Sequence, residues 1–298
     1  MSGLHGILLV DKEQGWTSHD VVAKARGITH QRKIGHTGTL DPMATGLLVL
    51  CLGDATRLVE YMTGHDKQYE GTICLGAATD TDDAEGTVIS QAAVPVLTAD
   101  TLRQLERQFT GPLRQRPPAY SAVKVAGQRA YAAARAGNPL DLAERTVTIH
   151  RLDLEQLGPD QLRAMVDCAS GTYIRSLARD IGAALGCGAH LMALRRLGAG
   201  RFDVSDAVSL AVLESAYTAG WLEDILIPPD EGIADTNAAI LDRAHTEAFR
   251  QGRTIQLETE HGVSSRPIRV YDTTGGFLGV GSAAAATEIS PAKVFAWR

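Results

Sequence analysis

The stretch GHTGTLDPMATG, Gly35 to Gly46, runs without a break into the apolar run LLVLCLG, Leu47 to Gly53. A continuous apolar run bounded by glycines reads as a strand of the core. The loop before it fixes one carboxylate, Asp41, between glycines, threonines and a proline, with His36 a few residues earlier. A metal site would need more ligands nearby, and a Ser-His-Asp site would need a nucleophile. The stretch offers neither, so the question is what a single aspartate needs such a rigid loop for.

Around this pair the chain alternates strand and helix signals. Gly6 to Val10 reads as a buried strand, and Thr17 or Ser18 can cap a helix over about 19–28. Asp54 can cap a helix from 55 to 63. KQYEGTICLG, 67–76, alternates as a half-buried strand. TDTDDAEG, 79–86, is an acidic turn leading to a short strand. Residues 98–110 form an amphipathic helix. The Pro-, Gly- and Arg-rich segment 111–137 breaks the pattern and reads as an exposed lobe with helix only in its second half. Strands follow at about 145–156 and 161–169. GTYIRSLARDIGAALG, 171–186, is a helix whose first turn holds Tyr173 and Arg175. HLMALRRLGAGRF, 190–202, reads as a strand and 207–219 as a helix. IPPDEG, 227–232, marks a boundary, and the rest, about 238–298, reads as a small β-rich domain.

Charge is unevenly spread. The net charge of −6 argues mildly against nucleic acid. Residues 103–145, however, hold eight basic and three acidic side chains, and 163–201 hold six and two, while 202–298 hold seven and 14. Local fields bind phosphates, and the chain total does not. The four cysteines form no C-x-x-C pair and read as buried free thiols, without disulfide or zinc. No apolar run reaches the length of a membrane span, which suggests a cytoplasmic protein.

Several motifs fail on spacing. Counted from Asp80, an EF-hand loop would need Gly sixth and Glu twelfth, where Glu85 and Gln91 stand. GHTG alone is too short for a KH loop, and the glycines at 182–188 do not have dinucleotide spacing. What remains is the Asp41 loop and SGTYIRSLARD. Arg175 near a helix start is unusual, because the helix dipole there favours anions. A carboxylate partner would suit it, and Asp41 is a candidate.

DKEQGWTSHDVV, RKIGHTGTLDPMATGLLVLCLGDATR, KQYEGTICLGAATDTDDAEG, RPPAYSAVKVAGQRAYAAARAG and SGTYIRSLARDIGAALGCGAHLMALRRLGAGRF, in this order over residues 4–202, closely resemble the bacterial TruB family of tRNA pseudouridine-55 synthases. The resemblance implies an α/β (α+β) pseudouridine synthase fold. Its mixed, largely antiparallel sheet would be flanked by helices and crossed by the active cleft. The catalytic domain would span 1–232, with an inserted thumb at about 111–145, and a PUA-like RNA-binding domain would span 238–298.

The resemblance further implies a stand-alone isomerase of the T-loop uridine of tRNA, with no cofactor, no metal, no obligate protein partner and a monomeric state. Asp41 matches the family's catalytic aspartate, Arg175 its arginine partner and Tyr69 the active-site tyrosine. The guanidinium would lower the carboxylate's pKa. His36 matches a histidine that enters the T-loop, Lys12 a lysine near the site, and Tyr173 and Leu194 pocket residues. Arg114, Arg116, Lys124, Arg129 and Arg135 of the thumb are candidates for phosphate contacts. One position departs: the family usually reads D-K-P-x-G, and here Glu13 replaces the proline, which removes a fixed φ and puts a negative charge beside Lys12. A tRNA-folding chaperone that needs the basic surfaces but not Asp41, and a guide-RNA-dependent relative, are the competing readings.

Overall fold

The computed structural model describes residues 3–121, 123–125, 127–138, 140–257, 267–285 and 287–295. Strand β1 (Gly6–Lys12) and the short β2 (Ile34–His36) both pair antiparallel with β3 (Thr45–Leu52), the apolar run after the Asp41 loop. Leu8, Val10, Leu48, Leu50 and Leu52 point into one large core, while Ile7, Leu9, Leu47, Val49 and Cys51 point into another on the opposite face. Burial on both faces is why neither β1 nor β3 shows polar alternation.

The main sheet continues through β4 (Lys67–Leu75). The hairpin of β5 (Ala77–Thr79) and β6 (Val88–Gln91) lies apart from it, and β7 (Gly111–Gln115) forms its edge. A second small hairpin, β8 (Lys124–Val125) with β9 (Gln128–Arg129), stands alone. Then come β10 (Arg145–Gly158), β11 (Gln161–Cys168), β12 (Ala189–Ala199) and β13 (Phe202–Asp203). The order across the sheet is β1-β3-β12-β4-β11-β10-β7, antiparallel except where β12 runs parallel to β3. The sheet is therefore mixed and largely antiparallel, as the family resemblance implies.

Helices α1 (Ser18–Thr29), α2 (Val59–Met62), α3 (Ala99–Phe109), α4 (Ala130–Arg135), α5 (Ile174–Leu185) and α6 (Leu210–Ala219) connect these strands. Apolar residues of α1, α3, α5 and α6 fill the large core on one face. Thr17 caps α1 in a full capping box with Asp20. Asp54 is not a cap. The chain there forms a 3-10 turn over Gly53–Leu58 that follows Leu52, and the Asp54 carboxylate instead accepts from Lys33 Nζ at 2.6 Å.

One boundary differs from the sequence reading. Gly111–Gln115 is not lobe but the edge strand, paired with Arg145–Ile149. The insertion therefore leaves the sheet after Gln115 and returns at Arg145, which face each other across two neighbouring strands. The segment read as a boundary, 227–232, precedes the separate sheet and is itself packed on the first part: Ile7 and Ile227 exchange two backbone hydrogen bonds of 2.8 Å, and Gly232 lies against Met62.

A separate sheet follows, built from β14 (Ala238–Leu241), β15 (Ile255–Gln256), β16 (Ile268–Asp272), β17 (Phe277–Ala285) and β18 (Glu288–Val294), with α7 (Arg243–Arg250) beside them. Its own core holds Leu241, Phe249, Val270 and Ile289. Val280 and Phe295 reach out of it into the core behind β1 and β3. Arg57 Nη1 donates to Val294 O at 2.6 Å, and Lys293 pairs with Glu60 at 2.7 Å. Among the described residues no helix is long and apolar enough to cross a membrane.

Candidate active site

Along β4, Lys67, Tyr69, Gly71, Ile73 and Leu75 face the helical side, while Gln68 and Glu70 face out. The core ends before the strand does. At its start lies a cleft of about 300 Å³ lined by the Asp41 loop, Lys67, Tyr69, Tyr173, Arg175, Leu194 and Arg196, among others. Asp41, Tyr69, Tyr173, Arg175 and Leu194, five of the residues singled out from sequence, therefore meet in one place.

The loop that carries Asp41 is clamped on both sides of it. Ser18 Oγ accepts from Leu40 N at 2.8 Å and donates to Leu40 O at 3.2 Å. Pro42 O accepts from Gly15 N at 2.8 Å and from Lys12 Nζ at 3.4 Å. Gly46 closes the loop at φ +94°, where any Cβ would stand 2.2 Å from Arg196 O. Rigidity here serves to aim one side chain, because both neighbours of Asp41 are fixed by residues of α1 and the turn after β1.

Arg175 is buried, and its Nε lies 3.0 Å from Asp41 Oδ2. The Nε–H is not aligned on that oxygen, so the contact is an ion pair rather than a well-directed hydrogen bond. The other arm of the guanidinium is tightly held: Nη1 donates to Asp83 Oδ2 and Thr81 O, both at 3.1 Å, and Nη2 donates to Tyr120 O at 2.9 Å. Asp83 is 4% exposed, and its other oxygen accepts from Thr81 Oγ1 at 2.6 Å and Glu85 N at 3.1 Å. One guanidinium thus sits between a sealed carboxylate and an accessible one. One turn further along α5, Arg179 pairs with Asp82 at 2.9 Å.

The guanidinium acts in the expected direction, but burial outweighs it. Burial raises the Asp41 carboxyl above its ordinary value, and Asp83 adds to the rise, while Arg175 and Lys12 oppose it. The guanidinium moderates the cost of burying this carboxylate without reversing it. The Asp41 side chain is still 37% exposed on the cleft side.

Lys12 does not line the cleft. It is 1% exposed behind the loop, with Nζ donating to Glu13 O at 2.9 Å and Trp16 O at 2.7 Å besides Pro42 O. Burial pulls it down to about 8. The Glu13 side chain is exposed, and what this position gives Lys12 is its carbonyl, which a proline would also supply. His36 does not line the cleft either. It lies half-buried with its ring edge-on to His19, 6.1 Å away, and burial lowers its pKa. Tyr173 stands at the N-terminus of α5, bracketed by Gln115, whose Oε1 accepts from Tyr173 N at 2.8 Å and whose Nε2 donates to Tyr173 O at 3.1 Å. The Arg145 guanidinium lies 4.7 Å over the Tyr173 ring.

Of the cations expected in the lobe, Arg114 stands on the edge strand β7; it and Arg116 are exposed and paired with Glu144 at 3.4 Å and Asp141 at 3.1 Å. Arg135 is exposed beside the Tyr131 ring. Lys124 and Arg129 face each other in the β8–β9 hairpin, and their side chains lie outside what is described. Sequence reasoning missed Asp83, Arg196, Lys67 and Gln115. A signal existed for the first: Asp82 and Asp83 are adjacent, and Arg179 and Arg175 lie four apart on one helix face, so two acids match two bases.

Three family models match the chain in succession: TruB family pseudouridylate synthase (N terminal domain) over residues 26–174, tRNA pseudouridylate synthase B C-terminal domain over 175–234, and Pseudouridine synthase II TruB, C-terminal over 238–295. A tRNA pseudouridine synthase B of Xanthomonas axonopodis pv. citri is 39% identical over 98% of this chain and 94% of its own length. The protein of the same name from Arthrobacter sp. is 50% identical over 90% and 97%. In fold, the chain resembles one from an H/ACA RNP bound to a substrate RNA, with TM-score 0.77 and 22% identity over 99% of this chain and 86% of that one. With models in sequence over nearly the whole length and relatives at this identity, the chain belongs to the TruB family and is a pseudouridine synthase.

Proposed function

We propose that this pseudouridine synthase acts on tRNA, at the T-loop uridine at position 55, and that Asp41 is its catalytic carboxylate. The substrate follows the named relatives. The observation that carries the role of Asp41 is its placement: an aimed, accessible carboxylate held 3.0 Å from a buried guanidinium in the cleft. In the reaction the C1′–N1 bond breaks and its electron pair leaves on the uracil ring. The ring turns, C5 bonds to C1′, the C5 proton is lost and N1 takes up a proton. Asp41 either attacks C1′ or takes a proton from the ribose 2′-carbon, and either role needs it ionised. Arg175 holds it in that form and in that direction.

The target base must leave its stack to enter the cleft, at a cost of a few kcal/mol. Tyr69 and Leu194 border the space that would receive it, and Tyr173 lies on the helix side. The Tyr69 hydroxyl serves the proton transfer at C5, and His36 takes up space in the opened loop. Residues 1–232 act as the catalytic domain and 238–298 as a PUA-like RNA-binding domain, in a cytoplasmic monomer that needs no obligate partner. Arg114, Arg116, Lys124, Arg129 and Arg135 contact phosphates, each contact adding about −0.7 to −0.9 to the salt slope of binding.

The test is tritium release from tRNA labelled at uridine C5. The purified chain should release one equivalent per tRNA with no added partner, and none when the target uridine is replaced. Asp41→Asn should abolish release while tRNA affinity stays within about tenfold, as expected of a group acting mainly in the transition state. Turnover by a clean Asp41→Asn preparation would refute the assignment.

A further inference from the structure

Four cations among the described residues are more than nine-tenths buried: Lys12, Lys67, Arg175 and Arg196. One carboxylate, Asp83, is buried to the same degree. Arg175 takes both Asp83 and Asp41. None of the other three makes an ion pair among the described residues, and each donates to backbone carbonyls. Lys67 Nζ donates to Thr63 O at 2.8 Å and His65 O at 2.5 Å. Arg196 Nε donates to Leu47 O at 2.6 Å and its Nη2 to Gly38 O at 3.2 Å. Carbonyl dipoles orient a cation but do not neutralise it, and an ion buried without a counter-charge costs several kcal/mol.

Lys67 and Arg196 both line the cleft. Arg196 stands directly opposite Tyr69 in the β12–β4 register, and its guanidinium faces the Tyr69 phenol. A β-bulge follows Arg196, so this strand's alternation is reset just where the cleft begins. A Cβ at Gly38 would stand 3.4 Å from Arg196 Nη1, in ordinary contact, so the loop backbone runs close over the guanidinium. Among the described residues neither Lys67 nor Arg196 makes an ion pair, and the cleft's own carboxylate, Asp41, is taken by Arg175, so this wall is suited to a further negative charge. A backbone phosphate is one source, but the exposed arginines of the lobe already suit phosphates, and this wall lies at the Tyr69–Leu194 end, where the base would sit.

We propose that Arg196, seconded by Lys67, is a catalytic residue that stabilises the uracil anion released when the C1′–N1 bond breaks. The inference rests on the reading above, in which Tyr69 and Leu194 border the flipped base. It adds to that reading the group that receives the other half of the charge separation. Asp41 works on the ribose side of the bond, and Arg196 works on the base side. The anion persists until C5 bonds to C1′: that bond takes up its electron pair as the Asp41 carboxylate leaves or, on the other path, as the ribose 2′-carbon regains its proton from Asp41. The neutral adduct then loses the C5 proton while N1 takes one up. Preorganised donors aimed at a developing charge give the largest effects where water is excluded, and Arg196 is 2% exposed.

The experiment measures single-turnover rates at saturating tRNA for the full chain and for Arg196→Gln, Arg196→Lys and Lys67→Gln. Each is run with uridine and with 5-fluorouridine at the target position, and C1′–N1 cleavage is the readout. Fluorine makes the departing ring a weaker base, so it needs less help from the protein. Arg196→Gln should lose about 10²-fold with uridine, the loss typical of one oxyanion donor, and clearly less with 5-fluorouridine. Arg196→Lys should recover part of the rate, and tRNA affinity should stay near that of the unaltered chain. Lys67→Gln should show the same substrate-dependent pattern more weakly, and it carries the test if Arg196→Gln fails to fold. An equal loss on both substrates overturns the proposal, and so does weakened tRNA binding with an unchanged saturated rate, which would place a phosphate there. If the unaltered chain does not turn over tRNA at all, the functional reading falls and this inference with it.

Discussion

Asp83 and Asp41 press on opposite sides of one guanidinium, yet only Asp41 is open to the cleft. Removing the charge of Asp83 should leave Arg175 free to turn toward the cleft, so that Asp41 is no longer held in line. Asp83→Asn is therefore expected to lower the saturated rate by about 10²-fold, the scale of an ångström of misplacement, with tRNA affinity little changed. Steady-state kinetics with a KM effect but no kcat effect would contradict it. Asp41, Arg175 and Tyr69 were legible in the sequence because each lies in a motif of fixed spacing. Asp83 was not, because four acids in a turn look like a solvated turn until a helix packs its arginines onto them. Lys67 and Arg196 were hidden for a related reason: a basic residue in a strand is ordinarily at the surface, and only the finished fold shows these two enclosed.

Strand β3 and the loop before it were recognisable as elements because an apolar run between glycines has few other solutions. What buries its second face is not legible there, since Leu58, Met62, Phe202, Ile233, Val280 and Phe295 come from well separated parts of the chain. The edge strand Gly111–Gln115 was misread because Gly, Pro and Arg are poor strand formers; pairing with Arg145–Ile149 overrides that propensity. Gly46 shows how tightly the elements are fitted. Its φ of +94° and the 2.2 Å approach to Arg196 O leave no space for a methyl group. Gly46→Ala should destabilise the chain by about 3 kcal/mol or more, combining backbone strain with a clash against another strand. Chemical denaturation would measure it, and a loss below about 1 kcal/mol would mean that β3 and β12 can separate more easily than their pairing suggests.

For the molecule as a whole, the surplus of buried cations couples stability to pH. Burial takes Lys12 and Lys67 from the ordinary 10.5 to about 8. Between these values the unfolded chain binds more protons than the folded one, so stability contributed at these sites rises with pH across that window. Below pH 8 the cost of the buried charge is felt in full. Relative to Lys67→Met, the unaltered chain should gain on the order of 3 kcal/mol from about pH 8 to 10.5, read from urea midpoints of both proteins. A difference that stays flat would mean Lys67 is not desolvated. The lobe has a different consequence. It departs at Gln115 and returns at Arg145, residues that are direct partners on adjacent antiparallel strands, so its two stems stand about 5 Å apart. Such a gap can be closed by a two-residue turn or spanned by an insert of another length without disturbing the sheet. The lobe is thus an exchangeable cassette on a fixed chassis; among the described residues it meets the chemistry through the carbonyls of Arg116 and Tyr120 that α5 grasps and through Ser121, which lines the cleft. A lineage, or an engineer, could graft a new RNA-gripping module between β7 and β10 and keep the reaction, provided those contacts are rebuilt.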